Sequence, residues 1–184
     1  MMQMGVERFG ERVRPLVWGG AACLLLAPWV AMQLDVQGVD WAPSDFVVMG
    51  VLLAAVCGLY ELGLRLDRRW PYRVGIWLAA LTGFLTIWVN LAVGMLGREG
   101  NPANLMFAGV LAIAAMGGLL ARGRAAGMVK AMLAAAFAQL LVVAVALPMG
   151  FEPRELALTA MFALPWLAAA ALFHAVVRVD AAAA

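Results

Sequence analysis

The chain is short of charge, histidine and cysteine. Only 13% of its 184 residues are charged, against about 25% in an ordinary soluble domain. That shortage excludes a soluble globular enzyme, whose surface must be solvated, and a disordered chain. It also excludes a nucleic-acid-binding module, which needs a concentrated basic surface; the formal net charge is only +2. Two cysteines are too few for a secreted disulfide scaffold. One histidine, His174, cannot supply a bis-histidine haem site, and no Cys/His spacing suggests zinc. No cofactor or metal is therefore expected. Alternation is lacking too: the apolar runs are continuous, which excludes a transmembrane β-barrel. No nucleotide loop, nucleophile elbow or metalloprotease motif occurs.

What the chain has in excess is apolar residues, 66% of the total, with a mean hydropathy of +0.94. A membrane-spanning helix needs about 20 mostly apolar residues, because the hydrocarbon core is about 30 Å thick. Six segments qualify: Leu16 to Leu34, Phe46 to Leu66, Val74 to Leu96, Pro102 to Ala121, Met128 to Met149 and Arg154 to Val177. The expected fold is all-α, a polytopic six-helix bundle in a lipid bilayer.

Basic residues orient such a bundle, because cytoplasmic loops are enriched in Lys and Arg. With the N-terminus cytoplasmic, Arg8, Arg12, Arg14, Arg65, Arg68, Arg69, Arg73, Arg122, Arg124, Lys130 and Arg178 all fall inside. The other side keeps Arg98 and Arg154 and collects Asp35, Asp40, Asp45, Glu99, Glu152 and Glu155. Both termini are therefore expected in the cytoplasm. The first span lacks a signal-peptidase pattern, since Trp29 stands two positions before Ala31, so it reads as a retained helix. Ahead of it, Met2, Val6, Phe9 and Val13 share one helical face. A short interfacial helix fits them, and so does a solvated tail. The expected layout is an interfacial segment at 1–14, the six-helix domain at 15–178 and a disordered tail at 179–184.

Lipid tails are as apolar as leucine, so close approach at small residues must drive much of the helix packing. Gly75, Ala79 and Gly83 form such a seam, as do Ala114 with Gly118, Ala131 with Ala135, and Ala134 with Ala138. Pro165, in mid-span, should kink the last helix; Pro28 and Pro148 should bend the outer parts of the first and fifth spans. Three spans followed by three would give halves of opposite topology, but the halves share no motif.

Polar groups within spans are costly and usually face the bundle interior. Glu61 has Arg65 one turn later, which suggests an ion pair at the inner headgroups or a titrating carboxylate. Asn90 and Gln139 lie well inside the third and fifth spans. Each needs either an interhelical hydrogen bond or a water-filled cavity. The loop from Gly97 to Asn104 is the densest polar feature. Asn101 suits a helix N-cap with Pro102 at N1, which leaves Glu99 and Asn104 unexplained by capping. On the same side lie Gln33, Asp35, Ser44 and Asp45, of which Ser44 or Asp45 suits the N-cap of the second span. If these ends converge, Gln33, Asp45, Asn90, Glu99, Asn101, Asn104 and Gln139 make an outward-facing polar pocket. The alternative is a set of unrelated caps. The twelve methionines are scattered, which fits gap-filling better than a Cu(I) site. Most of the seven tryptophans fall at span ends, as interfacial belts require, with Trp166 the exception.

Two stretches carry a resemblance. One is Ala31-Met32-Gln33 through Trp41, then Ser44-Asp45-Phe46 and Gly58-Leu59-Tyr60-Glu61-Leu62. The other is Trp88-Val89-Asn90-Leu91-Ala92-Val93-Gly94, then Gly97, Glu99 and Asn101-Pro102-Ala103-Asn104-Leu105-Met106. Together they resemble an uncharacterised family of small bacterial six-span inner-membrane proteins. The resemblance spans about the first two thirds of the chain. It implies a bacterial inner-membrane location and carries no activity, cofactor or substrate.

The functional expectation is binding or transport of a small polar solute or ion through the outward-facing pocket. The alternative is a non-catalytic scaffold or assembly partner of another membrane complex, or of a second copy of the chain. Enzymatic activity is not expected, because no nucleophile–base or metal constellation appears, and no nucleic-acid partner is expected either.

Overall fold

Proline stands in the first turn of three helices, where its missing N–H leaves no hydrogen bond unmade. Pro43 opens α2 (Pro43–Leu66), Pro71 follows Trp70 in α3 (Trp70–Ala92), and Pro153 opens α6 (Pro153–Met161). The remaining helices are α1 (Met2–Gln33), α4 (Met106–Ala121), α5 (Ala125–Ala146) and α7 (Ala163–Ala182). Two 3-10 turns, Pro102–Leu105 and Leu147–Met149, extend α4 and α5, and the second contains Pro148. The computed structural model describes the backbone at residues 2–183 and the side chains at residues 13–183. No strand occurs among the described residues. Apart from Val13, the expected interfacial face of Met2, Val6 and Phe9 lies outside the described side chains.

Six helical stretches are long and apolar enough to cross a membrane: Val13–Gln33, Pro43–Leu66, Trp70–Ala92, Pro102–Ala121, Ala125–Met149 and Pro153–Ala182. Their outward faces are apolar. Leu119 and Leu120 are 77% and 79% exposed and Phe137 is 69% exposed. Such a surface suits an integral membrane protein, whose helices meet lipid rather than water. The last stretch runs on to Ala182, past residue 179, where a disordered tail was expected.

The chain divides into two units, Met1–Arg68 and Arg69–Ala184. In the first, α1 packs on α2, and Leu25 lies against Gly50. Helix α1 runs through Pro28 without interruption.

In the second unit, α5 packs between α4 and α7, and α3 packs on α7. Small residues set the approach. Phe173 presses on Gly75, where a Cβ would meet its ring at 3.0 Å. Between α4 and α5 the contact is Gly117 on Ala131; a Cβ at Gly117 would lie 2.6 Å from the Cβ of Ala131. The expected seam residue, Gly118, faces open space instead. The reason is register: 100° of rotation separates neighbouring residues, and α4 is apolar on all sides. Ala131 and Ala135 are buried as expected, whereas Ala134 is exposed and makes no seam with Ala138. Gly117→Leu should therefore lower the thermal midpoint in detergent by several degrees, through an overpacking cost of about 1–3 kcal/mol. Gly118→Leu should leave it unchanged within about 0.5 kcal/mol.

The sixth stretch breaks at Phe162, between α6 and α7. Pro165 explains the break, because its ring crowds the preceding turn and it cannot donate to the Met161 carbonyl. The Phe162 N–H bonds instead to Thr159 O at 3.2 Å, a tightened turn. Far from the break, Arg69 pairs with Asp180, and Tyr72 donates to Gly123 O at 2.8 Å. These contacts tie α3 to the end of α7 and to the α4–α5 turn.

Two apolar clusters fill this unit. One holds Tyr72, Ile76, Met132, Ala135, Trp166 and Phe173. The other holds Met95, Leu96, Phe107, Val110, Val142 and Leu156.

Candidate functional site

The Gly94–Asn101 loop is held by its own sequence. The N–H groups of Val93 and Gly94 both bond to Val89 O at 3.0 Å, which ends α3. Gly94 and Gly97 have φ of +76° and +69°, a region that side chains disfavour. The turn carries Met95 and Leu96 inward, to 7% and 0% exposure. Their backbone groups then need partners, and Asn104 supplies them. Asn104 Oδ1 accepts from Met95 N–H at 3.2 Å and from Leu96 N–H at 3.0 Å. Asn104 Nδ2 donates to Leu96 O at 3.3 Å and to Arg98 O at 2.9 Å. All the ordinary capacity of the amide is used. Asn101 caps the 3-10 turn, with Oδ1 accepting from Ala103 N–H at 2.9 Å. Glu155 accepts from Gly97 N–H at 3.3 Å. Glu99 is exposed, in a shallow depression shared with Arg98, Gly100, Asn101 and Pro102. Asn101 and Asn104 therefore both build this loop, and Asn101 also lines that depression.

Deeper in the same unit lies a different polar arrangement. Four polar side chains of the described chain are fully buried: Thr82, Thr86, Gln139 and Thr159. Thr82 and Thr86 fall between the two apolar clusters along α3, whereas Gln139 and Thr159 fall within the stretches that build the second cluster. On α3, Thr82 and Thr86 follow Ile76 of the first cluster and precede Val89, which packs on the second. On α5, Gln139 is flanked by Ala138 and Val142, both of the second cluster. On α6, Thr159 stands between Leu156 of the second cluster and Phe162, which packs on that cluster. These four side chains, with Asn90 one turn beyond Thr86, are the polar belt of an otherwise apolar interior.

The hydrogen bonds of the belt are partly closed. Thr82 Oγ1 donates to Leu78 O at 2.7 Å, Thr86 Oγ1 to Thr82 O at 2.8 Å, and Asn90 Nδ2 to Thr86 O at 2.7 Å. Each bonds back to its own helix one turn earlier. Gln139 Nε2 donates to Thr159 O at 2.9 Å, across from α5 to α6. Thr159 Oγ1 reaches Met95 O at 3.4 Å, a long bond that ties the belt to the loop. Among the described residues, three buried side-chain atoms have no partner: Asn90 Oδ1, Gln139 Oε1 and Trp166 Nε1. Exchanging O and N in either amide would not help. It would set the oxygen of Gln139 against Thr159 O, and that of Asn90 against Thr86 O.

Gln33 and Asp45, the other two candidates, belong to the first unit and are exposed. Gln33 ends α1. Asp45 is not the N-cap of α2, and neither is Ser44. The N-cap is Ala42, and Asp45 Oδ2 accepts its N–H at 2.8 Å from within the first turn. With Pro43 at N1, the cap falls on Ala42, two residues ahead of Ser44. Glu61 pairs with Arg14 of α1 at 2.6 Å and accepts from Trp18 Nε1 at 3.3 Å. The expected partner was Arg65. A carboxylate that α1 approaches so closely has a partner with better geometry than a residue of its own helix. Arg14→Gln should cost at most about 1 kcal/mol, because the pair is solvent-accessible. Urea unfolding in detergent would check it.

The belt was half visible in the sequence. Asn90 and Gln139 stand out as polar residues in apolar spans. Thr82, Thr86 and Thr159 went unmarked, although Thr82, Thr86 and Asn90 recur every four residues. Among the described residues, no group of three or more His, Cys, Asp or Glu side chains is placed to hold a metal. Met95, Met128 and Met132 are buried in the apolar clusters, while Met116, Met149 and Met161 are exposed. No protein-family model, curated protein or solved structure matches the chain.

Proposed function

We propose that this integral membrane protein binds, and through that binding transports, a small polar solute or ion at the belt of its second unit. The observation that supports this most is the pair of buried, unpartnered amide oxygens, Asn90 Oδ1 and Gln139 Oε1. Leaving a buried acceptor unmet costs about 1–3 kcal/mol, more than a membrane helix gains from keeping an amide there. A ligand that meets them recovers that cost on binding. The loop above the belt, fixed by Asn104 and joined to Thr159 through Met95, provides a structured lip for it. The basic-residue bias supports both termini in the cytoplasm, with this loop on the opposite side. A bacterial inner membrane is the setting that the family resemblance implies.

The test uses the purified chain, with thermal unfolding scanned against small solutes and ions. A solute that raises the midpoint of the wild type should fail to raise that of Asn90→Leu and Gln139→Leu. The same variants should lose its flux in proteoliposomes. Unchanged stabilisation in both variants would place the site elsewhere.

A scaffold role is the second reading. It is favoured by α1, where no residue of the span Val13–Gln33 is buried and Gly19 and Gly20 face open space. Co-purification of a membrane partner or second copy that is lost in Gly20→Leu would support it.

A further inference from the structure

The end of the second unit opposite the Gly94–Asn101 loop is rich in cations and poor in acids. Arg69 is the N-cap of α3 and Arg73 lies in its first turn. The α4–α5 turn brings Arg122 and Arg124, and the end of α7 brings Arg178. We propose that the α4–α5 turn binds one anionic phospholipid, its phosphate between Arg122 and Arg124 and its acyl chains along Leu119 and Leu120. This site is independent of the belt.

Charge is the first reason. Of the four acidic residues of the unit, Glu99, Glu152 and Glu155 belong to the far end and only Asp180 stands here. Arg69 pairs with it. Arg122, Arg124 and Arg178 are exposed and make no ion pair with any described residue. Arg122 and Arg124 are two residues apart, so their Cα atoms lie within about 7 Å of each other. Two guanidinium groups at that spacing suit one phosphate, which accepts paired hydrogen bonds from each planar fork.

The second reason is the turn that carries them. Arg122 N–H bonds to Leu119 O at 3.1 Å, and Arg124 N–H bonds to Ala121 O at 2.8 Å. Gly123 O accepts from the Tyr72 hydroxyl of α3 at 2.8 Å. The backbone is thus committed to the fold, and the two arginine side chains are not. Arg122 also has φ +47°, a left-handed backbone that glycine adopts without strain, as Gly123 beside it does at +77°. A strained residue that carries an exposed cation without an acidic partner points to a use for that cation.

The third reason is the apolar surface beside the charge. Leu119 and Leu120 are 77% and 79% exposed, and Trp70 at the start of α3 is exposed as well. Exposed leucines followed by exposed arginines match a phospholipid read from acyl chain to phosphate, with tryptophan at the depth of the headgroups. A soluble anion would make no use of the leucines. A zwitterionic lipid brings a cation of its own, which the arginines repel.

The test is native mass spectrometry of the full chain in an uncharged detergent, titrated with phosphatidylglycerol and with phosphatidylcholine of the same acyl chains. An arginine facing an anionic headgroup contributes about fivefold in affinity, so the wild type should prefer phosphatidylglycerol by about 25-fold. Arg122→Gln and Arg124→Gln should each weaken phosphatidylglycerol binding about fivefold, and the double variant should bind the two lipids alike. Arg154→Gln, at the far end, should leave the preference unchanged. If the double variant does not fold, Arg122→Gly decides: the thermal midpoint in that detergent should hold, because glycine accepts the backbone, while the preference drops. Equal binding of the two lipids by the wild type would overturn the site, and so would an unchanged preference in the Arg122 and Arg124 variants. Displacement of phosphatidylglycerol by inorganic phosphate at equal concentration would overturn the lipid in favour of a soluble anion.

Discussion

Asn104→Leu is expected to be among the most damaging single substitutions in the second unit. The change removes four hydrogen bonds at once, two to N–H groups and two to carbonyls. Met95 and Leu96 remain drawn inward, so their N–H groups lose the partner that makes burial tolerable. Each unmet buried group costs about 1–3 kcal/mol, so the total should reach about 3–5 kcal/mol. That corresponds to a fall in thermal midpoint on the order of 10 °C. The internal control is Asn101→Ala, three residues away in the same loop. It removes one cap bond and should cost about 1 kcal/mol. Equal losses in the two variants would show that the loop is not organised around Asn104.

Gly94→Ala should come close to it for a different reason. The backbone there has φ +76°, which alone costs an L-residue about 1–2 kcal/mol. The added Cβ would also fall 2.5 Å from the Arg98 carbonyl carbon and 2.7 Å from both Arg98 O and Glu99 N. These are backbone atoms and no rotamer change removes them, so the turn must open. Two other glycines separate the causes. Gly38 has φ +84° with nothing near, so Gly38→Ala should show the conformational cost alone. At Gly97 the nearest atom is the Asn101 Nδ2 at 2.9 Å, on a side chain that can move. Denaturation midpoints should therefore fall most for Gly94→Ala, less for Gly97→Ala and least for Gly38→Ala.

The contrast between Gly117 and Gly118 shows how far sequence reading reaches in such a chain. Apolar run length gives six spans, because bilayer thickness is an external ruler, but some ends shift: the third span was expected at Val74–Leu96 and runs Trp70–Ala92, and the sixth runs on to Ala182 rather than Val177. The Pro102–Ala121 and Pro43–Leu66 stretches end where hydropathy and proline say they should. The break before Pro165 was legible for the same kind of reason: the ring itself makes it. Rotation about the helix axis was not legible. In a soluble bundle the polar stripe marks the outer face, but in α4 there is no polar stripe, so nothing in the sequence chooses Gly117 over Gly118. Partner choice across the chain was equally hidden. Glu61 has a suitable arginine four residues on, yet it pairs with Arg14, 47 residues back.

The candidate site divides along similar lines. Asn90 and Gln139 were visible because an amide in an apolar span demands an explanation. Asn104 was visible as polar, but its task was not, since it serves backbone groups that only the folded turn exposes. The threonines of the belt were silent because a threonine that bonds to its own preceding turn costs little and leaves no trace in hydropathy. Gln33 and Asp45 were gathered into one pocket by counting which loops share a side. That places residues on a surface without specifying distances between them.

Whether the belt is a binding site is tested most directly by an experimental density map of the protein in lipid, prepared with a saturating concentration of a solute that raises the thermal midpoint of the wild type. Binding requires solute density within about 2.7–3.2 Å of Gln139 Oε1 or Asn90 Oδ1. That contact should be missing in the map of the variant, Gln139→Leu or Asn90→Leu, that lacks the amide. A map in which both amides have turned onto protein partners and no solute lies beside either would contradict it.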